Sequence, residues 1–274
     1  MDTPVSAMSL DDRAADRPAA AGLTLTALPG LPMVGPGDDI AGLICTALSA
    51  TGVDLRDGDI LVIAQKIVSK AEDRVVRLAD IVPSPAAARL AREIGRDARF
   101  VELVLSESEE VLRATDRAII VANRHGVVLA NAGIDQSNLG GGTDIDEQVL
   151  LLPVDPDASC RRLRAQLGER TGARVAVIIN DSIGRAWRRG SVGLAIGAAG
   201  LPALLDLKGR PDLFGRPLVV SEQAIADELA AAASLVQGQA DEGRPVVLVS
   251  GYRAVGEDLP ARALVRAKDQ DLFR

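Results

Sequence analysis

One histidine and two cysteines in 274 residues remove several kinds of site at the outset. With His125 alone, a histidine-rich metal centre is out of reach. Cys45 and Cys160 fall in helix-like segments with no C-x-x-C spacing, which argues against a disulfide framework or a thiolate-held metal. Any metal would then rest on oxygen ligands, the chemistry of Mg²⁺ or Mn²⁺ rather than Zn²⁺. Aromatic residues make up 2 %, so the core must be aliphatic and stacking on bases is not a general device. A net charge of −7 opposes non-specific nucleic-acid binding, which needs a basic field. No apolar run reaches the roughly 20 residues of a membrane span, and no charged-then-apolar leader opens the chain. The expectation is a cytoplasmic protein with no membrane partner. Also missing are the G-x-x-x-x-G-K-[ST] phosphate loop and the G-x-G-x-x-G turn.

What is present is globular. Hydrophobic residues at 47 % and charged residues at 25 % suit a chain that buries a real core in one large or two smaller domains. Residues 1–22 mix Ala, Asp, Arg and Pro without a period and read as a disordered tail. Residues 23–274 carry the patterned domain, which could divide into two subdomains. "LTLTAL" from Leu23 alternates as a strand, and Asp38 or Asp39 is placed to cap a helix. That helix sets Ile40, Leu43, Ile44, Ala47 and Leu48 on one face and ends at Gly52. "GDILVIA" is a buried strand, and "QKIVSKAEDR" a polar bend into a second strand near Val75 and Val76. Ser84–Pro85 and Asp155–Pro156 open helices, and another is expected near Phe100 to Leu105. Two strands flank a His125–Gly126 turn. "RVAVIIN" is a strand ending at a polar turn, Ser221 is placed to cap an Ala-rich helix that stops at Gly238, and "RPVVLVSG" is a last strand. Strands and helices do not alternate cleanly, so the fold class is α+β, mixed sheets with packed helices, rather than a doubly wound parallel sheet.

Four stretches set polar groups at the end of an apolar element. In "VSKAEDR", Lys70 follows a strand at a distance suited to phosphate, against the plainer reading of a solvated lysine. In "NAGIDQSN", Asp135 with its amide and hydroxyl neighbours suits a hard cation or a nucleotide, or simply an Asx turn. In "VIINDSIGRAWRRG", Asp181 and Ser182 resemble an acid-plus-hydroxyl Mg²⁺ site, with Arg185, Arg188 and Arg189 as forked donors for phosphate or carboxylate. Trp187 among them is placed either in the core or on a pocket wall. "VQGQADEGRP" closes the Ala-rich helix and alone reads best as a helix end followed by a loop.

Together with "GLPMVGPGDDI", "LLLPVDPDAS" and "GRPDLFGRPL", these stretches occur in the order found in coenzyme F-420:L-glutamate ligases, which the chain resembles over roughly residues 23–255. The resemblance implies a gamma-glutamyl-ligase-like fold in an intertwined homodimer. It implies GTP as co-substrate, L-glutamate and the deazaflavin F-420 precursor as small-molecule substrates, two divalent cations (Mn²⁺ or Mg²⁺) and K⁺. The GTP γ-phosphate would activate the acceptor's terminal carboxylate as an acyl phosphate, which the amine of L-glutamate then displaces.

By the same resemblance, the nucleotide contacts fall on Leu31, Pro32, Met33, Val34, Gln65, Lys66, Lys70 and Asn138. A late nucleotide loop falls on Gln237, Gly238, Gln239, Ala240, Asp241, Glu242, Gly243 and Arg244. Metal ligands fall on Asp135, Asp181, Ser182 and Gln239, the last where some relatives carry a carboxylate. Lys70, Asp181 and Arg185 are the candidate catalytic groups, Arg185 as a stabiliser of the transferring phosphoryl group. The glycine-rich stretch after Asn138 is longer than in relatives and suits a lid. The chain leaves no room for the C-terminal flavin-binding domain of some relatives, so a stand-alone ligase is expected. Two other readings stay open: the same amide chemistry on another carboxylate metabolite, and a non-catalytic nucleotide-binding module.

Overall fold

The computed structural model describes residues 22–136, 147–253 and 255–271. The expected tail, apart from Gly22, and Asn138 with its glycine-rich continuation lie outside the described residues. The strands are β1 (Thr24–Ala27), β2 (Ile60–Ala64), β3 (Val75–Arg77), β4 (Ser108–Ala114), β5 (Ile119–Asn123), β6 (Val128–Ala130), β7 (Gln148–Leu150), β8 (Ala176–Arg185), β9 (Arg188–Ala199), β10 (Leu205–Asp206), β11 (Glu222–Gln223) and β12 (Val246–Ser250). The α-helices are α1 (Ile40–Thr51), α2 (Gln65–Ala71), α3 (Pro85–Ile94), α4 (Ala98–Ser106), α5 (Pro156–Thr171) and α6 (Ile225–Gln237). This is an α+β architecture.

A five-stranded sheet in the order β1-β12-β2-β8-β9 is the frame. Its pairs are antiparallel except β2 with β8, which run parallel with Ile60 opposite Ala176 and Ala64 opposite Asn180. Alternation along the strands splits the interior in two. Leu61, Ile63, Val177, Ile179 and Leu248 face α1 and α5, joining Ile44, Leu163 and Leu167 in one cluster. Ile60, Val62, Ile178, Val247 and Val249 face α6, joining Ile225, Leu229 and Ala233 in another. A third cluster, with Phe100, Val104, Ile119, Val121 and Val149, packs α3 and α4 on the β4-β5-β6 sheet.

The helix starts follow capping chemistry. The Asp39 carboxylate accepts the Gly42 N–H at 3.1 Å, Ser84 Oγ that of Ala87 at 3.2 Å, and Asp155 that of Ala158 at 2.8 Å. Asp38 instead closes its own turn, accepting the Gly35 N–H. The glycines of β9 serve packing. A Cβ on Gly197 would lie 2.5 Å from the Pro156 carbonyl oxygen at the start of α5, and one on Gly193 would strike the Ala230 carbonyl of α6. Both obstacles are backbone and cannot step aside. Gly197→Ala is therefore expected to cost about 1–3 kcal/mol, read as a lower urea midpoint at an unchanged slope. A wild-type midpoint would mean that β9 and α5 separate freely.

Three local expectations are corrected. "QKIVSKA" is a helix, α2, not a bend; Val68 and Ser69 are buried and Ser69 Oγ donates to Gln65 Oε1 one turn back at 2.9 Å. "NDSIGR" is not a turn but the second half of β8, which runs past the sheet as a hairpin with β9 to the Arg185–Arg188 pair. Out there water bathes much of the ribbon, so the apolar pattern that marks a buried strand is lost. Ser221 caps nothing: α6 starts at Ile225 behind Ala224, with no side-chain cap, and Asp227 and Glu228 fill its first turn. The Ser221 carbonyl accepts the Leu207 N–H instead.

Candidate active site

At the carboxyl ends of the parallel pair, where open sheets place their ligands, lies a cleft of about 580 Å³. Parallel pairing is what builds it. With Ala64 opposite Asn180, the polar residues that follow each strand emerge side by side although they are far apart in sequence. Gln65, Lys66 and Lys70 come from α2, and Asn180, Asp181 and Ser182 from β8. Asp135 joins them, its backbone paired both ways with Leu150 at 3.0 and 2.8 Å. Leu31, Pro32, Met33 and Val34 supply an apolar lip, and residues 237–245 the facing wall. A larger cavity, about 930 Å³, lies at the opposite ends of the strands. Three of its charged groups are held locally: Arg174 pairs with Asp57 at 2.6 Å, and Asp59 accepts the Arg56 backbone N–H at 2.8 Å.

The cleft concentrates charge under partial burial. Lys66 Nζ pairs with Asp135 at 2.7 Å. Lys70, one helical turn on and 7 % exposed, loses proton affinity to burial and to the Lys66 charge, with Asp135 opposing. Burial pushes the Asp181 carboxyl up to about 6; the Ser182 N–H, donating to it at 2.8 Å, pulls the other way, and the negative Asp135 adds to the rise. Two carboxylates and two ammonium groups thus share one partly buried space, where electrostatic interactions are stronger than in open water.

Buried amides fix the floor. Asn180 Nδ2 donates to Gln237 Oε1 at 2.6 Å, and Gln237 Nε2 donates to the carbonyls of Val62 and Pro245, both at 3.3 Å. The Gln237 side chain is thereby committed to tying α6, β2 and β8 together. Gln65, 2 % exposed, has its Oε1 held by Ser69, while its Nε2 has no hydrogen-bond partner among the described residues. Gln239 Nε2 donates to Ser234 Oγ at 2.8 Å, and its Oε1 accepts from Ser191 Oγ of β9 at 3.4 Å. Gly238 holds φ 80° and ψ 177°, a region closed to side chains, and a Cβ there would strike the Glu242 carboxylate.

Of the expected residues, the cleft gathers Leu31 to Val34, Gln65, Lys66, Lys70, Asp135, Asp181, Ser182 and all of 237–244. Asn138 is outside the described residues. Arg185 is not on the cleft wall: its guanidinium donates to the carbonyl oxygens of Arg189 and Gly190 at the hairpin tip, at 3.3 and 3.4 Å. Trp187 is neither core nor pocket wall; it stands 92 % exposed at that tip. Asn180 was missed by sequence reasoning, though an amide closing the apolar run "VII" is the kind of signal that marks it.

The family model for F420-0:gamma-glutamyl ligase matches residues 30–251. The chain belongs to this family. It is 48 % identical to the coenzyme F420:L-glutamate ligase of Methanothermobacter thermautotrophicus, over 92 % of this chain and 99 % of the relative. To the enzymes of the same name from Methanopyrus kandleri and Methanocaldococcus jannaschii it is 46 % and 44 % identical, over 88 % and 80 % of this chain and 93 % and 86 % of theirs. Every cleft segment of this gamma-glutamyl ligase family member falls within the matched residues. The oxygen donors of Asp135, Asp181, Ser182 and Gln239, two carboxylates, a hydroxyl and an amide oxygen, suit a hard divalent cation. Among the described residues no three His, Cys, Asp or Glu side chains cluster as a metal site. A cation held by Asp135 and Asp181 would keep positions for water and phosphate oxygens, the habit of Mg²⁺. Among the described residues no helix is long and apolar enough to cross a membrane.

Proposed function

We propose that this chain is a GTP-dependent ligase that adds L-glutamate through γ-linked amide bonds to the deazaflavin coenzyme F-420 precursor. The acceptor's terminal carboxylate oxygen attacks the γ-phosphorus and GDP leaves. The glutamate amine then attacks the acyl carbon, phosphate leaves, and the nitrogen gives up a proton. The observation that carries this reading is the meeting of Lys66, Lys70, Asp135 and Asp181 at one sheet end in a member of this family.

Lys66 and Lys70 offset phosphate charge and the orphan Gln65 amide offers a hydrogen bond to a ligand oxygen. Residues 31–34 and 237–244 enclose the nucleotide. Asp135, Asp181, Ser182 and Gln239 would hold two divalent cations, Mn²⁺ or Mg²⁺, which when bound neutralise charge on the transferring phosphoryl group; a response to K⁺ is part of the same proposal. Catalysis is then positional and electrostatic, which accounts for the want of an obvious nucleophile. We assign the working unit as a homodimer: Leu213 and Phe214, 99 % and 87 % exposed on the segment between β10 and β11, give a second copy an apolar contact.

Incubation of the deazaflavin acceptor with L-glutamate, GTP and Mn²⁺ is expected to release GDP and give products heavier by whole glutamyl units, from a protein of twice the chain mass by light scattering. GDP release with a different carboxylate acceptor alone would change the substrate. A melting temperature raised by GTP without turnover on any acceptor would leave a binding module.

A further inference from the structure

The β8–β9 hairpin carries features that the cleft chemistry does not use. Arg185, Arg188 and Arg189 gather within five residues of a chain whose net charge is −7. None of the three guanidinium groups pairs with a carboxylate among the described residues. Arg185 is spent on the hairpin's own carbonyls, which leaves Arg188 and Arg189 exposed beside it. Between Arg185 and Arg188, Trp187 holds φ 57°, in the left-handed region that bulky side chains rarely adopt, with its indole out in water. Folding alone gives no reason for either choice: a glycine would turn the chain there without strain, and an indole is ordinarily covered. Strain of this kind clusters at active sites and ligand clamps.

The tip is tied to the cleft by β8 itself, although the cleft lining on this strand ends at Ser182. Arg185 lies four residues beyond Asp181 on the same strand, about 13 Å along it. Ser191, opposite Gly184 in the hairpin, reaches the cleft loop through Gln239. A ligand whose reacting end sits at Asp181 and which extends along β8 therefore arrives at the arginines.

The geometry points to the hairpin tip as the subsite for the anionic tail of the acceptor, with Arg188 and Arg189 gripping charged groups behind the reacting carboxylate and Trp187 covering one side of the tail. This rests on the ligase reading above. The chemistry then has a consequence for product length. Each glutamate added consumes one carboxylate and brings two, so the tail gains one negative charge per cycle. An arginine subsite holds the longer product more tightly than the shorter one, and the tip favours repeated addition.

The test is steady-state kinetics of the full-length enzyme with the deazaflavin acceptor, comparing wild type, R188Q/R189Q, R188K/R189K and W187G, with product tails read by mass spectrometry. The glutamine pair is expected to raise the acceptor KM by roughly tenfold or more, the scale of losing charge-assisted hydrogen bonds. Its KM for GTP should hold, and its products should shift to shorter tails. The lysine pair should recover part of the affinity, since charge survives without the fork. W187G, which relieves the strained φ, should fold as well as wild type and still bind acceptor more weakly. An active wild type with an unchanged acceptor KM in R188Q/R189Q overturns the subsite alone. Equal weakening of GTP and acceptor does so too, as does loss of the dimer mass with acceptor KM intact, which would assign the tip to subunit contact. A wild type that turns over no acceptor overturns the ligase reading and the subsite with it.

Discussion

Asp181→Asn is expected to lower turnover by roughly a thousandfold or more, the scale seen when a charge organising a phosphoryl transition state is removed, while the melting temperature stays unchanged or rises. Burial holds the Asp181 carboxyl up at about 6, and the like charge of Asp135 adds to the cost of ionising it. An asparagine of the same shape is spared that cost and can still accept the Ser182 N–H. A carboxylate maintained against its surroundings is a functional expense rather than a structural support. Rates measured at saturating Mn²⁺ and a melting curve of the same preparation decide it. A variant that melts well below wild type would make Asp181 a structural residue, and full activity would remove it from the chemistry.

Lys70→Met makes the complementary case with a cation. At 7 % exposure, Lys70 keeps its ammonium against burial and the neighbouring Lys66 charge. Removing a charge aimed at transferring phosphate is expected to cost roughly a hundredfold or more in kcat/KM. Burying methionine in place of an ammonium removes its desolvation cost along with its attraction to Asp135, so stability should change by less than about 2 kcal/mol. Denaturant titration beside kinetics separates the two effects. Stability lower by more than about 2 kcal/mol, the scale of a lost buried hydrogen-bonded group, would show that Lys70 holds the fold instead.

Local chemistry made much of the fold readable. The caps at Asp39, Ser84 and Asp155, the αL ends at Gly52 and Gly95, and the apolar runs of β2, β8 and β12 are written in single residues and short periods. What depended on partners was not. α2 looked like a bend because its seven residues carry little period of their own; its place at the end of β2 is set by the sheet. The outer half of β8 looked like a turn because its partner β9, not a core, keeps it extended. The cleft shows the same division. Lys70, Asp135 and Asp181 each gave a weak signal alone, and the family motifs supplied the connection. The position of Arg185 could not be read from its neighbours in sequence. It follows from how far the hairpin runs past the sheet, a matter of pairing register.

The parallel register of β2 and β8 also has a temporal side. Ile60 meets Ala176 only after the chain between them, with all of α3, α4 and the β4-β5-β6 sheet, has been threaded out of the way. Closing so long a loop is paid in entropy before any contact repays it. The α3–α4 module draws on near neighbours and needs no such closure. Lys70 and Asp181 can therefore meet only in a chain that has made this one strand pair.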